Sequence, residues 1–470
     1  MLQVVVAIVV LLSVAMFKWI PKVGGNVAAG LVLAGVVTML LSGNFAPIDW
    51  LLAFIDGLDR MAWIMCLAIV GGIMAEVSVR LGTVDTIIGA LNAKFGTRPR
   101  MLVVCIICVL CLSGSLLGDA TASAAVIGTL TFGILASMGM ELERVSAIIM
   151  MGCAIGSIMP PMTQAIALAS TLVNTDVDPV VNMGYFTVAI CLVICCAYSG
   201  LILVKKENRI GSNPDVHIEP TTKKAGEIMK DNWKSLIPMG ALIIIILCRT
   251  LSFIGFDLGP SILKAISFKV GEQSTTLYDF LASITIVKGL TNGIVLSIIC
   301  ALVVAFLGFK EIRNNAGDVL FKGIKSVWAC LSVQLCCSFM LGAFYYCGSI
   351  TAVTEFAMSL DDNLLKIGGA VAMCLVGMLT GSQSTTQNAI FSFLGPALVA
   401  TGGNPTFIAL AGANLAAAGQ GMPPADLTTF VICGMMSAQL GKKVNPVKSM
   451  IYSMPMCIVF LITGLILLYI

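Results

Sequence analysis

Long apolar runs separated by short polar loops set the pattern of this chain. A helix needs about 20 apolar residues to cross a bilayer. Runs of that kind fall at about 1–17, 24–42, 61–79, 182–204, 235–256, 284–308, 318–347 and 450–470. Two further stretches, about 101–172 and 364–440, are equally apolar but repeatedly interrupted by Gly, Pro, Ser and Thr. They read as re-entrant hairpins at about 101–138 and 364–400, each followed by a broken spanning helix at about 144–172 and 404–440. The pattern predicts an all-α polytopic membrane protein of ten crossings and two hairpins. Amphipathic stretches at 81–97 and 348–360 lie just before the interrupted regions. They are expected at the interface, either as arms between a moving and a fixed part or as plain connectors.

Composition agrees with lipid as the solvent. Hydrophobic residues make up 58% of the 470 and charged residues 11%, against roughly 25% charged in soluble domains. The formal net charge of +3 is too small to point to a nucleic-acid partner. Basic residues orient the chain, because cytoplasmic loops collect Lys and Arg. Of the 27, 21 fall in loops on one side, from Lys18 and Lys22 through Arg98, Arg144 and Lys224 to Lys442, Lys443 and Lys448. The opposite loops are acidic or mixed, with Asp49, Asp56 and Asp59, Asp176 and Asp178, Asp257, and Asp361 and Asp362. This places both termini outside. No charge precedes the first apolar run, so the first helix is expected to stay in the membrane rather than be cleaved.

The 17 cysteines lie almost entirely in apolar stretches, as with Cys105, Cys108 and Cys111. Two separate CxxC elements or a Cys/His set, the patterns of zinc sites, are missing, and the single histidine, His217, sits in a charged loop. They therefore read as small soft packing residues rather than metal ligands. The same poverty in His argues against a membrane-embedded hydrolase, and the protein is not expected to be an enzyme or to hold a covalent cofactor.

The two interrupted regions are copies of each other. Residues 111–161 align with 374–424 at a constant offset of 263 without a gap, and 13 of 51 positions are identical. Matches concentrate at glycines and prolines: Gly114, Gly118, Gly139 and Gly156 fall on Gly377, Gly381, Gly402 and Gly419, and Met159-Pro160-Pro161 falls on Met422-Pro423-Pro424. Chance coincidence of leucines in apolar segments does not produce shared breaks. With the first hairpin entering from the cytoplasm and the second from outside, the halves form an inverted repeat of five crossings and one hairpin each. The expected division is 1–204 for the first repeat, 205–234 for a cytoplasmic linker and 235–470 for the second repeat. Secondary transporters are built this way, and alternating access suits paired hairpins better than a continuous channel does.

A helix break in lipid exposes carbonyls and amides that must line a cavity or bind something. Carbonyls suit a hard cation such as Na+, and half-helix N-termini favour an anionic group. Polar residues cluster there. The first hairpin carries Ser113, Ser115, Asp119, Thr121 and Ser123, and the first break Ser157, Thr163 and Gln164. The second hairpin has the run GSQSTTQN, including Gln383, Ser384, Thr385, Thr386 and Asn388, and the second break Gln420, Asp426, Thr428 and Thr429. Of these, Ser123, Thr163, Gln164, Gln383, Ser384, Thr385, Thr386, Asn388, Asp426 and Thr428 are candidate substrate contacts. A lone Ser or Thr serves equally as packing glue, whereas intramembrane carboxylates are functional by default. Asp119 reads as a cation ligand, a proton carrier or the N-cap of the returning helix.

Residues 113–163, from the Ser-Gly-Ser hairpin through Ala-x-Ile-Gly to the Gly-x-x-x-Pro-Pro break, together with GQGMPP at 419–424, resemble the large permease subunit of tripartite ATP-independent periplasmic (TRAP) transporters. The resemblance implies uptake of a small organic anion, such as a C4-dicarboxylate, coupled to Na+ by an elevator movement. It also implies a bacterial inner-membrane location and two partners, a small four-helix membrane subunit and an extracytoplasmic binding protein. Family sodium sites carried onto this chain fall on Ser115, Gly156, Met159 and Pro160, and on Gly381, Gly419 and Met422. The second hairpin is more polar than the family pattern. Related carriers of the same layout act alone, so a self-sufficient sodium- or proton-coupled carboxylate symporter is the alternative.

Overall fold

The computed structural model describes the chain except residues 1, 17–25, 161–162, 206, 213–223, 251–256, 271–272, 358–360, 425 and 441. Lys18, Lys22, Pro161, Lys206, His217 and Lys223 therefore lie outside the described residues. The described chain is helical almost throughout, apart from a two-stranded antiparallel hairpin, Ser267–Val270 with Gln273–Thr276. That hairpin sits between the short helices Leu258–Ala265 and Leu277–Ser283.

Among the described residues, four helices are long and apolar enough to cross a membrane: Pro47–Arg80, Val177–Leu203, Asp362–Thr380 and Pro446–Tyr469. Shorter apolar helices include Ala28–Leu41, Pro99–Ser115, Gly293–Gly308 and Leu427–Ser437. The shortness has local causes: Gly118 ends one helix, a 3-10 turn at Val287–Thr291 precedes another, and Asp426 starts a third.

Three expected spans differ from the pattern, the first of them, 284–308, shortening to Gly293–Gly308 behind the 3-10 turn. The span at 61–79 starts earlier, as a helix of 34 residues from Pro47 to Arg80, about 51 Å long at 1.5 Å per residue. Pro47 suits the first helical turn, and Asp56 pairs with Arg60 one turn on, at 2.9 Å. The acidic segment therefore continues the helix instead of looping. The span at 318–347 divides at Val327 into an amphipathic helix, Ala316–Ser326, and a membrane helix, Trp328–Tyr346. Arg80 on the long helix clamps the amphipathic piece through Asp318. The interfacial stretches form helices at Thr83–Phe95 and Ser349–Ala357.

Packing gathers the helices into two groups. Leu2–Met16 packs on Val27–Leu41, Val27–Leu41 packs on Trp328–Tyr346, and both Trp328–Tyr346 and Gly293–Gly308 lie against Pro47–Arg80. The hairpins, the broken helices, Val177–Leu203 and Pro446–Tyr469 form the other group. On one end of it, Glu141 accepts hydrogen bonds from Lys448, from the Tyr452 hydroxyl at 3.1 Å and from Arg144 Nε at 3.3 Å. Arg144 Nη1 also donates to the Leu203 carbonyl at 3.0 Å. These contacts tie the first broken helix to the last helix and to the end of Val177–Leu203.

Local geometry recurs at the offset of 263. Pro99–Leu117 ends at Gly118 in the left-handed region, φ 64°, and Asp362–Thr380 ends at Gly381, φ 61°. Both positions need glycine, since a Cβ is strained there. Gly118 N–H donates to Gly114 O at 2.8 Å, and Gly381 N–H to Gly377 O at 2.8 Å. Each returning helix carries a π-helical segment, Ala124–Gly128 and Gln387–Phe391. The hairpins press on the broken helices at equivalent glycines. A Cβ on Gly114 would lie 2.8 Å from Gly156 Cα, and one on Gly377 would lie 2.7 Å from Gly419 Cα.

Candidate functional site

The hairpin tips and the helix breaks are built from two pairs of equivalent elements. In the first break, helix Leu142–Ile158 stops before Met159-Pro160, and a new helix begins at Gln164. Thr163 caps it, accepting from Ile166 N–H at 3.3 Å. In the second, helix Pro405–Gln420 stops and Leu427–Leu440 follows. Here Asp426, 263 residues beyond Thr163, is the cap. It accepts from the amides of Thr428 and Thr429 at 3.1 and 2.9 Å and from the Thr429 hydroxyl. Its side chain is fully buried, so its carboxylate is committed to backbone amides, a charge-assisted arrangement.

Ser115, Gly156, Met159 and Pro160 meet at one point. Ser115 Oγ donates to the Met159 carbonyl at 2.9 Å and the Pro160 carbonyl at 3.4 Å, and Met159 N–H bonds Gly156 O at 3.0 Å. Convergent carbonyl and hydroxyl oxygens are the donor set a hard cation requires. In the second half Met422 N–H donates to Gly419 O at 3.2 Å, whereas Gly381 O accepts from Leu427 N–H at 3.4 Å, beyond the break. The two half-sites are not alike. The position equivalent to Ser115 is Met378, so the second hairpin wall lacks that hydroxyl. The nearby Thr380 hydroxyl is bonded to Val376 O at 2.8 Å.

The copies interlock crosswise. Ser157, in the first broken helix, donates to Gln383 Oε1 at the second tip, 3.1 Å. Thr121, at the first tip, shares a hydrogen bond of 3.1 Å with Thr428 beyond the second break, and Gln420 Nε2 donates to Thr428 at 3.2 Å. Ser157 and Gln420 are themselves equivalent positions. Between these elements lies a cavity of about 20 Å³, lined by side chains including Asp119, Thr121, Gln164, Gln383, Ser384 and Gln420. That holds about one water-sized sphere, so any organic substrate enters only if the tips move apart.

Five of the sequence candidates, Asp119, Gln164, Gly381, Gln383 and Ser384, line this cavity directly. Others sit behind it. Ser123 faces Ser113 at 3.4 Å, Thr386 donates to Ser382 O at 2.8 Å, and Thr163 and Asp426 serve as caps. Thr385 is buried next to these, and Asn388 is fully buried further along the returning helix with both side-chain polar atoms unpartnered. Thr428 reaches the site only through Thr121 and Gln420.

A further participant belongs to no motif of the sequence. Gln334, on the long-helix side, donates from Nε2 to Gln164 Oε1 at 3.3 Å. It is a lone carboxamide inside the apolar run Leu331–Leu341, a signal that marks a polar contact without naming it. Gln387 bonds Ala165 O at 3.0 Å and buttresses the same helix start.

Comparison with solved structures finds the same fold in the YdaH transporter of Alcanivorax borkumensis, at 13% identity and TM-score 0.53, covering 99% of this chain and 95% of that one. MtrF of Neisseria gonorrhoeae, described among antimetabolite efflux pumps, is similar at 14% identity and TM-score 0.52, covering 99% and 93%. No curated protein matches the chain in sequence. The model of the DctM component of tripartite ATP-independent periplasmic transporters matches residues 4–470. With the match running nearly end to end, through both hairpins and both breaks, the chain belongs to the DctM family, the large permease component of TRAP transporters.

Proposed function

We propose that this chain performs sodium-coupled uptake of a small organic carboxylate, of about the size of a C4-dicarboxylate, across the bacterial inner membrane. The observation that carries the reading is the meeting of both hairpin tips and both helix breaks around one cavity, held by crosswise hydrogen bonds. Broken helices at the interface of repeats are where secondary transporters hold substrate and ions. Residues 1–204 and 235–470 act as inverted repeats joined by the 205–234 linker, with both termini outside. Na+ binds at Ser115, Gly156, Met159 and Pro160, with a second ion at Gly381, Gly419 and Met422. Asp119 adds negative charge at the cavity edge. The substrate sits between the tips, against Gln164, Gln383 and Ser384. The hairpin group slides as an elevator along the group built on Pro47–Arg80, with Thr83–Phe95 and Ser349–Ala357 as the connecting arms.

The family's tripartite architecture supports two partners, a small four-helix membrane subunit and an extracytoplasmic binding protein. Reconstitution tests the whole reading. Uptake into vesicles is expected with an inward sodium gradient and the partners present, and not with a potassium gradient of the same size. Equal uptake by the chain alone would favour a self-sufficient symporter. No sodium-dependent uptake under any combination would overturn the proposal.

A further inference from the structure

Two hydrogen bonds that pass from the group built on Pro47–Arg80 to the hairpin group end on one short element. Gln334, on Trp328–Tyr346, donates from Nε2 to Gln164 Oε1 at 3.3 Å. Trp63, on the long helix, donates from Nε1 to the Thr171 hydroxyl at 2.9 Å. Both acceptors belong to the half-helix Gln164–Leu172, one at its first residue and one next to its last, about 10 Å apart at 1.5 Å per residue. This half-helix packs on Pro47–Arg80 and also on Pro405–Gln420 and the returning helix of the second hairpin. From the hairpin group, Gln387 Nε2 donates to Ala165 O at 3.0 Å. The long-helix group therefore grips both ends of an element whose first residue lines the central cavity.

Packing alone does not account for either donor. Gln334 is 1% exposed and its Oε1 has no partner in the protein. A half-paired buried carboxamide is costly, and an apolar side chain of the same length would avoid that cost. Thr171 does not depend on Trp63, because its hydroxyl already donates to Ala167 O at 3.0 Å in its own helix.

We propose that Gln334 and Trp63 are positioning residues, a two-point catch that registers the half-helix against the long-helix group and opens before the hairpin group slides; this rests on the elevator reading above and deepens it. A slide of one helical turn, about 5.4 Å, carries both donors out of hydrogen-bond range of their acceptors. Loading of the site acts on the same bond, since an occupant that draws the Gln164 carboxamide inward weakens its hold on Gln334. Without the catch the hairpin group moves with sodium alone, and ions pass without cargo.

The test uses the full-length chain in vesicles and nanodiscs, with sodium as the only probe. Gln334→Met and Trp63→Phe each remove one donor and keep most of the side chain. Each is expected to raise sodium entry without organic substrate by about three- to tenfold, the span that interhelical hydrogen bonds in membranes correspond to. Amide hydrogen exchange over 164–172 is expected to speed up by a similar factor, with exchange of Gly293–Gly308 unchanged as the sign of an intact fold. Ser338→Ala is the control. Its hydroxyl donates to the Gln334 carbonyl within the same helix at 2.9 Å, and both readouts should stay at the unmodified level. Unchanged exchange over 164–172 in both variants overturns the catch. Faster exchange with no added sodium entry, in a protein whose sodium-coupled uptake is intact, also overturns the proposal and leaves the transport reading standing. Absence of sodium-coupled uptake by the unmodified chain brings down the transport reading itself, and the catch with it.

Discussion

The hydroxyl of Ser157 donates to Gln383 Oε1 across 3.1 Å, joining the first broken helix to the tip of the second hairpin. The two residues are 226 apart in sequence, and neither half of the chain can make the contact alone. Removing it tests whether the halves are energetically coupled. A double-mutant cycle on Ser157→Ala and Gln383→Leu is expected to give a coupling of roughly 0.6–1.7 kcal/mol, the range for interhelical hydrogen bonds in membranes. Strictly additive losses, read from unfolding of the protein in detergent, would mean that the tip and the broken helix do not support each other.

The glycines that press hairpin on helix predict a sharp contrast. A Cβ on Gly114 would sit 2.7 Å from the Cys153 carbonyl and 2.8 Å from Gly156 Cα, both backbone atoms that cannot swing away. Gly114→Ala is therefore expected to destabilise by about 1–3 kcal/mol through overpacking. Gly133, on the returning helix of the same hairpin, has nothing within 4 Å of its would-be Cβ. There the alanine is expected to be neutral or to stabilise by up to about 1 kcal/mol, through helix propensity. Thermal midpoints of the two variants should move in opposite directions or differ by several degrees; equal midpoints would contradict the packing.

Those glycines also explain how much of the molecule was legible in its sequence. Gly118, Gly381, the Gly114–Gly156 and Gly377–Gly419 contacts and the Pro-containing breaks are dictated by backbone geometry, which leaves a residue-specific mark at a fixed spacing. The repeat could therefore be aligned from the residues alone. The extension of the long helix back to Pro47 was not legible, because Asp49, Asp56 and Asp59 give that stretch the composition of a loop, although they lie within the helix. The division at Val327 is hidden in the sequence because the amphipathic helix before it merges with an apolar run. Polarity located the site but could not rank its members. Asp426 and Asp119 look alike in sequence, yet the first spends its oxygens on helix amides while the second lines the cavity.

Acid should loosen one end of the hairpin group. The hydrogen bond from Lys448 holds the Glu141 carboxyl below its ordinary value, aided by the Tyr452 hydroxyl and the Arg144 charge against a smaller opposing effect of burial. A carboxyl lowered on folding contributes stability that is present above its unfolded value and is lost as pH falls through the folded value. Glu141→Gln should therefore melt lower than the unmodified protein at neutral pH, and the difference should shrink steadily as the solution is acidified below the ordinary carboxylate range. A gap independent of pH would assign the effect of the substitution to packing rather than to the charge.

The asymmetry between Ser115 and Met378 gives the most specific expectation for the coupling ion. Both positions lie one residue beyond the glycine that touches a broken helix, yet only Ser115 places a hydroxyl on the carbonyls of Met159 and Pro160, at 2.9 and 3.4 Å. If Na+ is held there, Ser115→Ala removes one oxygen from a small ligand set while leaving the backbone carbonyls in place. The sodium concentration for half-maximal uptake should rise about tenfold, the consequence of losing roughly 1.4 kcal/mol of binding, with little change in rate at saturating sodium. Thr380→Val is the matched control in the other half. Its hydroxyl is bonded to the Val376 carbonyl in its own helix at 2.8 Å, so its loss should leave the sodium dependence within about twofold, since a bond of that kind contributes little beyond the local helix. Vesicle uptake at graded sodium measures both. An unchanged sodium dependence in Ser115→Ala would remove the first break from the ion's path and leave the carbonyls of Met159 and Pro160 with a purely structural partner.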